Sequence, residues 1–168
     1  MKNVVLIGMP GSGKSTLGVL LAKAIGYSFV DTDLIISRKA DMTLQKILDT
    51  KGLDYFLELE QEMGETLDCD HTVIATGGSM VMSDKAMQHL AENGIVLYID
   101  VPLDEIKRRV TNIRTRGIAF HKGDTLDDVF DERVPLYEKY ADVSVVFENA
   151  ADIEKTVDKM VEKLKSIL

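Results

Sequence analysis

Asn3-Val4-Val5-Leu6-Ile7 runs directly into Gly8-Met9-Pro10-Gly11-Ser12-Gly13-Lys14-Ser15-Thr16, and this junction decides the fold. The first five residues are a near-continuous apolar run, the pattern of a strand buried on both faces of a parallel sheet. Gly8 to Ser15 fits G-x-x-x-x-G-K-[ST], a loop whose backbone N–H groups turn inward around a phosphate. From Thr16 to Ile25 the apolar residues Leu17, Leu20, Leu21 and Ala24 form one helical stripe, which Gly26 ends. A glycine-rich turn with a chance lysine would need neither this strand before it nor this helix after it. The helix adds its positive N-terminal end to the cradle of Gly11, Ser12, Gly13 and Thr16. In such a loop Lys14 reaches the β- and γ-phosphates and the Ser15 hydroxyl binds magnesium.

The same alternation continues along the chain. Tyr27–Val30 reads as a second strand, closed by Asp31-Thr32-Asp33. Leu34 to Leu67 reads as helix in pieces, with Thr43 as a cap and Lys51-Gly52 as a break. A third strand over Thr72–Ala75 leads into Thr76-Gly77-Gly78-Ser79. A helix capped by Ser83 precedes a fourth strand over Ile95–Ile99, and helices over 103–110 and 125–140 precede a fifth over 143–147. Ile153, Val157, Met160, Val161 and Leu164 give a final amphipathic helix. Strands alternating with helices imply right-handed crossovers and a parallel sheet covered on both faces. Ligands of such a sheet bind at the carboxyl ends of its strands. The phosphate loop, Asp31 to Asp33 and Thr76 to Ser79 all fall at that edge.

The composition excludes several other classes. With 168 residues the chain is expected to be one domain and to bury roughly two-thirds of its unfolded surface. Twenty Lys and Arg against 28 Asp and Glu leave a net charge of −8, which repels nucleic-acid phosphates and anionic membranes. Cys69 is the sole cysteine, so a disulfide framework and a cysteine-rich zinc site are excluded, and a cytoplasmic location fits. No apolar run approaches the ~20 residues of a membrane span, and the N-terminus does not read as a secretory signal. His71, His89 and His121 lack metal-site spacing, and the methionines read as core filler.

Two aspartates after a strand are ordinarily turn or cap residues, but here they face the rim that carries the phosphate loop. One carboxylate suits magnesium-bound water, and the other suits orienting and deprotonating a hydroxyl. Gly77 and Gly78 allow a ligand to approach the backbone closely. Arg109, Arg114, Arg116, His121 and Lys122 surround a polar, irregular segment. It reads either as a solvated basic face or as a lid that brings arginine to a transferring phosphate. Arg133 reads as a helix-surface ion pair or an anion grip.

Taken together, the phosphate loop, Asp31-Thr32-Asp33, Val73 to Gly78, Arg116 and Arg133 with Pro135-Leu136-Tyr137 resemble the shikimate kinase family of P-loop kinases. The resemblance runs over nearly the whole chain. It implies an α/β three-layer sandwich, a five-stranded parallel sheet of order 2-3-1-4-5 with helices on both faces. It implies one P-loop kinase domain over 1–168, with substrate-binding helices about 33–68 and a lid about 111–124. ATP and Mg2+ are then co-substrate and metal, and the partner is a small hydroxylated metabolite. By the same resemblance Asp33 binds the acceptor hydroxyl as base, and Asp31 supports magnesium through water. Gly77, Gly78 and Ser79 lie beside the acceptor. Arg109 lies against adenine, Arg116 crosses the phosphates, and Arg133 pairs with the substrate carboxylate.

Two positions depart from the family pattern. Phe56-Leu57-Glu58-Leu59-Glu60 has Leu57 where F-R-x-x-E has its arginine, and Ser79 stands where a third glycine is usual. Removing one arginine from a buried carboxylate grip costs on the order of 2–4 kcal/mol, roughly 30- to 1000-fold in affinity. The readings that follow are a shikimate kinase with a rearranged grip, a kinase of another hydroxylated metabolite, and a nucleotide-binding module without transfer. A nucleoside monophosphate acceptor and a GTPase switch fit less well, since neither a second-nucleotide signature nor N-K-x-D is present. A monomer is expected, since no surface helix is apolar all round.

Overall fold

The computed structural model describes residues 2–111 and 117–168. Arg114 and Arg116, and with them the central part of the expected lid, lie outside the described residues.

β1 (Asn3–Ile7) is buried at every position, as its apolar run requires. It pairs in parallel with β3 (Thr72–Ala75) on one side and β4 (Gly94–Asp100) on the other, so that Val4 lies opposite both Val73 and Ile95. β2 (Ser28–Asp31) and β5 (Val143–Val146) complete the sheet as edges, giving the order β2-β3-β1-β4-β5 that the family resemblance implies. Both edge strands are only partly buried, which fits their mixed polar and apolar residues. Right-handed crossovers place α1 (Lys14–Ile25) and α8 (Ile153–Lys165) on one face. Opposite them lie α2 (Thr32–Ala40), α3 (Leu44–Lys51), α4 (Leu53–Thr66), α5 (Asp84–Glu92), α6 (Leu103–Arg109) and α7 (Leu126–Tyr140).

The expected caps and breaks are present. Thr43 accepts from the Lys46 N–H and Ser83 from Ala86, and Thr125, read from the sequence as the first residue of its helix, is instead its cap and accepts from Asp128, each satisfying a donor of a helix start. Gly52, at φ 90°, separates α3 from α4.

Several boundaries differ by a residue or two from the sequence expectation, and two of them matter for the site. α1 begins at Lys14 rather than Thr16, because Gly13 takes φ 91° as its N-cap and the helix follows at once. Lys14 and Ser15 are therefore in the first helical turn. α2 begins at Thr32 rather than Leu34, because the Asp31 carboxylate accepts from the Asp33 and Leu34 N–H groups and caps it. Asp33 thus projects from a helix, a stiffer mount than the loop expected for it.

Candidate active site

Three strand ends build the floor. At the end of β1, the Lys14 ammonium reaches back over its own loop, donating to the carbonyls of Gly8 (2.8 Å) and Met9 (2.9 Å). Burial pushes its pKa down to about 8, against the opposing pull of Asp33, Asp31 and Glu60. At the end of β2, the Ser15 hydroxyl donates to Asp31 Oδ2 at 2.6 Å. Asp31 therefore does two things at once. Its Oδ1 caps α2, as the cap reading of the sequence has it, and its Oδ2 meets the phosphate-loop serine.

At the end of β3, Thr76 anchors the turn by donating from Oγ1 to the Leu6 carbonyl at 2.8 Å. The buried Thr32 hydroxyl accepts from the Gly77 N–H at 3.2 Å. Gly77 is required by space. A Cβ placed there would stand 2.6 Å from Asp33 Oδ1 and 2.6 Å from Glu60 Oε2, so the two carboxylates flank its Cα. Gly77→Ala is accordingly expected to force both carboxylates aside and to lower kcat about 100-fold while the thermal melt stays cooperative. Steady-state kinetics beside a melt check this, and an alanine variant with unchanged kcat would contradict the packing.

Asp33 is half-buried beside the loop, and its pKa is raised to about 6, first by burial and then by the Asp31 charge, with Lys14 opposing. Arg133 comes from α7, is 4% exposed, and donates through Nη2 to the Ala119 carbonyl. Its buried position excludes the helix-surface ion pair. One turn on, the Tyr137 hydroxyl donates to the Gly78 carbonyl at 2.6 Å, and its ring stacks on Tyr98 with centroids 5.3 Å apart. This ties α7 to the Gly77-Gly78 turn. A cavity of about 250 Å³ lies here, and Lys14, Asp33, Glu60, Gly78, Ser79 and Arg133 all line it.

Sequence reasoning quoted Glu60 but gave it no role. It is 2% exposed, accepts from the Ser79 hydroxyl at 2.5 Å through Oε1, and has no partner at Oε2 among the described residues. Burial pushes its pKa up to about 7. A glutamate on the apolar side of α4, one turn after Phe56, was the available signal. Thr32 and Tyr137 were likewise missed as supports, because their partners are distant in sequence.

Other expected residues sit elsewhere. Arg109 stacks its guanidinium 4.6 Å over the Phe147 ring, donates from Nε to Glu105 at 3.0 Å, and touches the Gly11 and Ser12 carbonyls at 3.4 Å. It braces the outside of the phosphate loop. His121 and Lys122 line a neighbouring, open cavity. Leu57 packs in a small apolar cluster with Ile36, Ile47 and Phe56 and lines the wall behind Arg133. Among the described residues, no group of three or more His, Cys, Asp or Glu side chains is placed to hold a metal. No helix there is long and apolar enough to cross a membrane.

A phosphate-cradling loop, a cation at its mouth and a carboxylate lining the adjoining pocket, on this strand order, define a P-loop phosphotransferase with an alcohol as acceptor. The comparisons with known proteins agree. The family model for shikimate kinase matches residues 10–165, so the chain belongs to the shikimate kinase family. A shikimate kinase of Clostridium botulinum (strain Eklund 17B / Type B) is 35% identical over 170 residues, covering all of this chain and 98% of that protein. Threonine synthase-like 1 of Mus musculus is 37% identical over 98% of this chain, which spans only 22% of that protein's length. Among solved structures, shikimate kinase from Acinetobacter baumannii in complex with shikimate superposes with a TM-score of 0.89 at 27% identity. That match covers 99% of this chain and 94% of the other. The activity is that of an ATP-dependent, shikimate kinase-like phosphotransferase.

Proposed function

We propose that the chain transfers the γ-phosphoryl group of ATP to a hydroxyl of shikimate, acting in the cytoplasm as a monomeric kinase. Its partners are small molecules, with no nucleic acid or membrane among them. The observation that carries this reading is the meeting of Lys14, Asp33 and Arg133 in one cavity, from three separate elements.

In the proposed reaction the acceptor oxygen bonds to the γ-phosphorus, the bond from that phosphorus to the ADP oxygen breaks, and the hydroxyl proton passes to the Asp33 carboxylate. Lys14 neutralises charge on the phosphoryl oxygens, and the loop backbone of Gly11 to Thr16 holds the nucleotide. Gly77, Gly78 and Ser79 form the acceptor's floor, and the buried Arg133 takes its carboxylate. Arg109 braces the loop beside the nucleotide, and Arg116 supplies the cation of a lid about 111–124. Helices about 33–68 form the acceptor side of a single domain, 1–168.

Ser15 and Asp31 fit Mg2+, since a hydroxyl and a carboxylate lie 2.6 Å apart at the loop and offer the hard oxygen donors that this ion prefers, with Asp31 acting through water. When bound, Mg2+ supplies charge neutralisation on the phosphates.

The test is ADP release from magnesium-ATP with and without millimolar shikimate, with Lys14→Met as control. Release that depends on shikimate and disappears in the variant is expected. Release unchanged by shikimate, with ATP bound, would remove the acceptor assignment.

A further inference from the structure

Glu60 poses a problem that the assigned roles leave open. Its carboxyl is buried in the acceptor cavity, with Oε1 held by the Ser79 hydroxyl and Oε2 unpartnered among the described residues. One helical turn earlier on α4 stands Leu57, an apolar residue beside Arg133, where an arginine would have faced the carboxyl. Among the described residues, the charges that act on Glu60 are Asp33 of α2, which repels it, and Arg133 of α7 and Lys14 of α1, which attract it. α3 and α5, also packed on α4, contribute none. Arg133 and Lys14 already have claims on them from the carboxylate and phosphates of the two substrates. An ionised Glu60 would then sit unpaired against a carboxylate-bearing acceptor.

We propose that Glu60 enters the acceptor complex as the carboxylic acid, with Oε2 donating a hydrogen bond to the carboxylate of the acceptor where an arginine is missing. The proposal rests on shikimate being that acceptor. Ser79 takes part directly: by donating to Oε1 it leaves Oε2 as the oxygen that carries the proton. The raised pKa of about 7 makes the acid accessible near neutrality, at little cost. Above that pH, binding takes up one proton from solvent. Acceptor affinity therefore falls as pH rises, up to about tenfold per pH unit. Leu57 and Ser79 then read as one coupled change, in which a charged grip is replaced by a neutral donor.

The experiment is the KM for shikimate at saturating ATP between about pH 6 and about pH 8.5, for the native chain, Glu60→Gln and Leu57→Arg. In the native chain KM rises by at least about tenfold across this range. Glu60→Gln, whose amide donates at every pH, shows a flat profile near the native low-pH value. Leu57→Arg is flat as well, because an arginine at that position pairs with the ionised carboxyl. A flat native profile, or the same rise in Glu60→Gln, would overturn the proposal. Should either variant fail to fold, calorimetry of shikimate binding to the native chain at about pH 8, in two buffers of different ionisation enthalpy, reads proton uptake directly, and zero uptake overturns it. Shikimate binding with a flat profile leaves the acceptor assignment standing. No shikimate binding at any pH, with ATP bound, removes the assignment and this proposal together.

Discussion

Lys14→Met lowers kcat by about 1000-fold at saturating ATP, a loss comparable to removing a strong transition-state charge contact. The methionine keeps the volume of the buried side chain, so the loop stays packed while the charge is lost. Three consequences follow from the surroundings. The carbonyls of Gly8 and Met9 lose the donor that now sits 2.8 and 2.9 Å away. The cation proposed to neutralise the transferring phosphoryl is gone. Asp33 also loses the neighbouring positive charge that holds its pKa down, so its carboxylate forms only at higher pH. The acid limb of the kcat profile should therefore shift upward in the variant. In the native chain the ammonium has a pKa near 8, so KM for ATP rises above that pH, and this rise is missing in Lys14→Met. Steady-state kinetics across pH read all of this. A kcat within about fivefold of native would exclude a role for Lys14 in the transition state.

Asp33→Asn loses activity and gains stability, and the pairing of the two effects is the informative part. As the proposed general base the carboxylate is expected to contribute roughly 100- to 10,000-fold to kcat, and the amide cannot take the proton. In the native chain kcat falls as pH drops below about 6, where the base becomes protonated. The stability effect has the opposite sign. The folded pKa of about 6 lies above the unfolded value near 4, so the folded chain holds this proton to higher pH. The stability that this protonation provides is fully present below about pH 4 and is lost as pH rises through about 6. The loss is on the order of 2 kcal/mol. Asparagine has nothing to titrate. The Tm of the variant relative to native should therefore climb between about pH 4 and about pH 7. A variant that loses activity with no such change in relative Tm would mean that Asp33 is solvated rather than held at a cost for chemistry.

How much of this was legible in the sequence differs from element to element. The strand before Gly8, the loop to Ser15 and the stripe of α1 are local patterns. Each depends on residues a few positions apart, so the order of elements followed from the chain alone. The boundaries moved where backbone geometry overrode side-chain pattern. Gly13 starts α1 two residues earlier than the apolar stripe suggests, and the Asp31 cap starts α2 at Thr32, two residues before Leu34. Arg133 was open between a surface pair and an anion grip, because helical spacing does not say which side of α7 meets the sheet. Arg109, which the resemblance puts against adenine, stacks on Phe147 and touches the loop carbonyls, partners that no local pattern announced.

The sequence by itself determined the phosphate-binding chemistry of this protein, the parallel sheet beneath it and the carboxylates at the strand ends. These depend on short-range rules: a glycine turn, an apolar period, a capping oxygen. The tertiary structure alone decided what fills the acceptor pocket. Glu60 meets a hydroxyl 19 residues away, and Tyr137 holds a carbonyl 59 residues away. Burial of those groups, rather than their identity, places a titrating carboxyl in the cavity. Desolvation depends on the whole fold closing around a residue, and no local pattern records it.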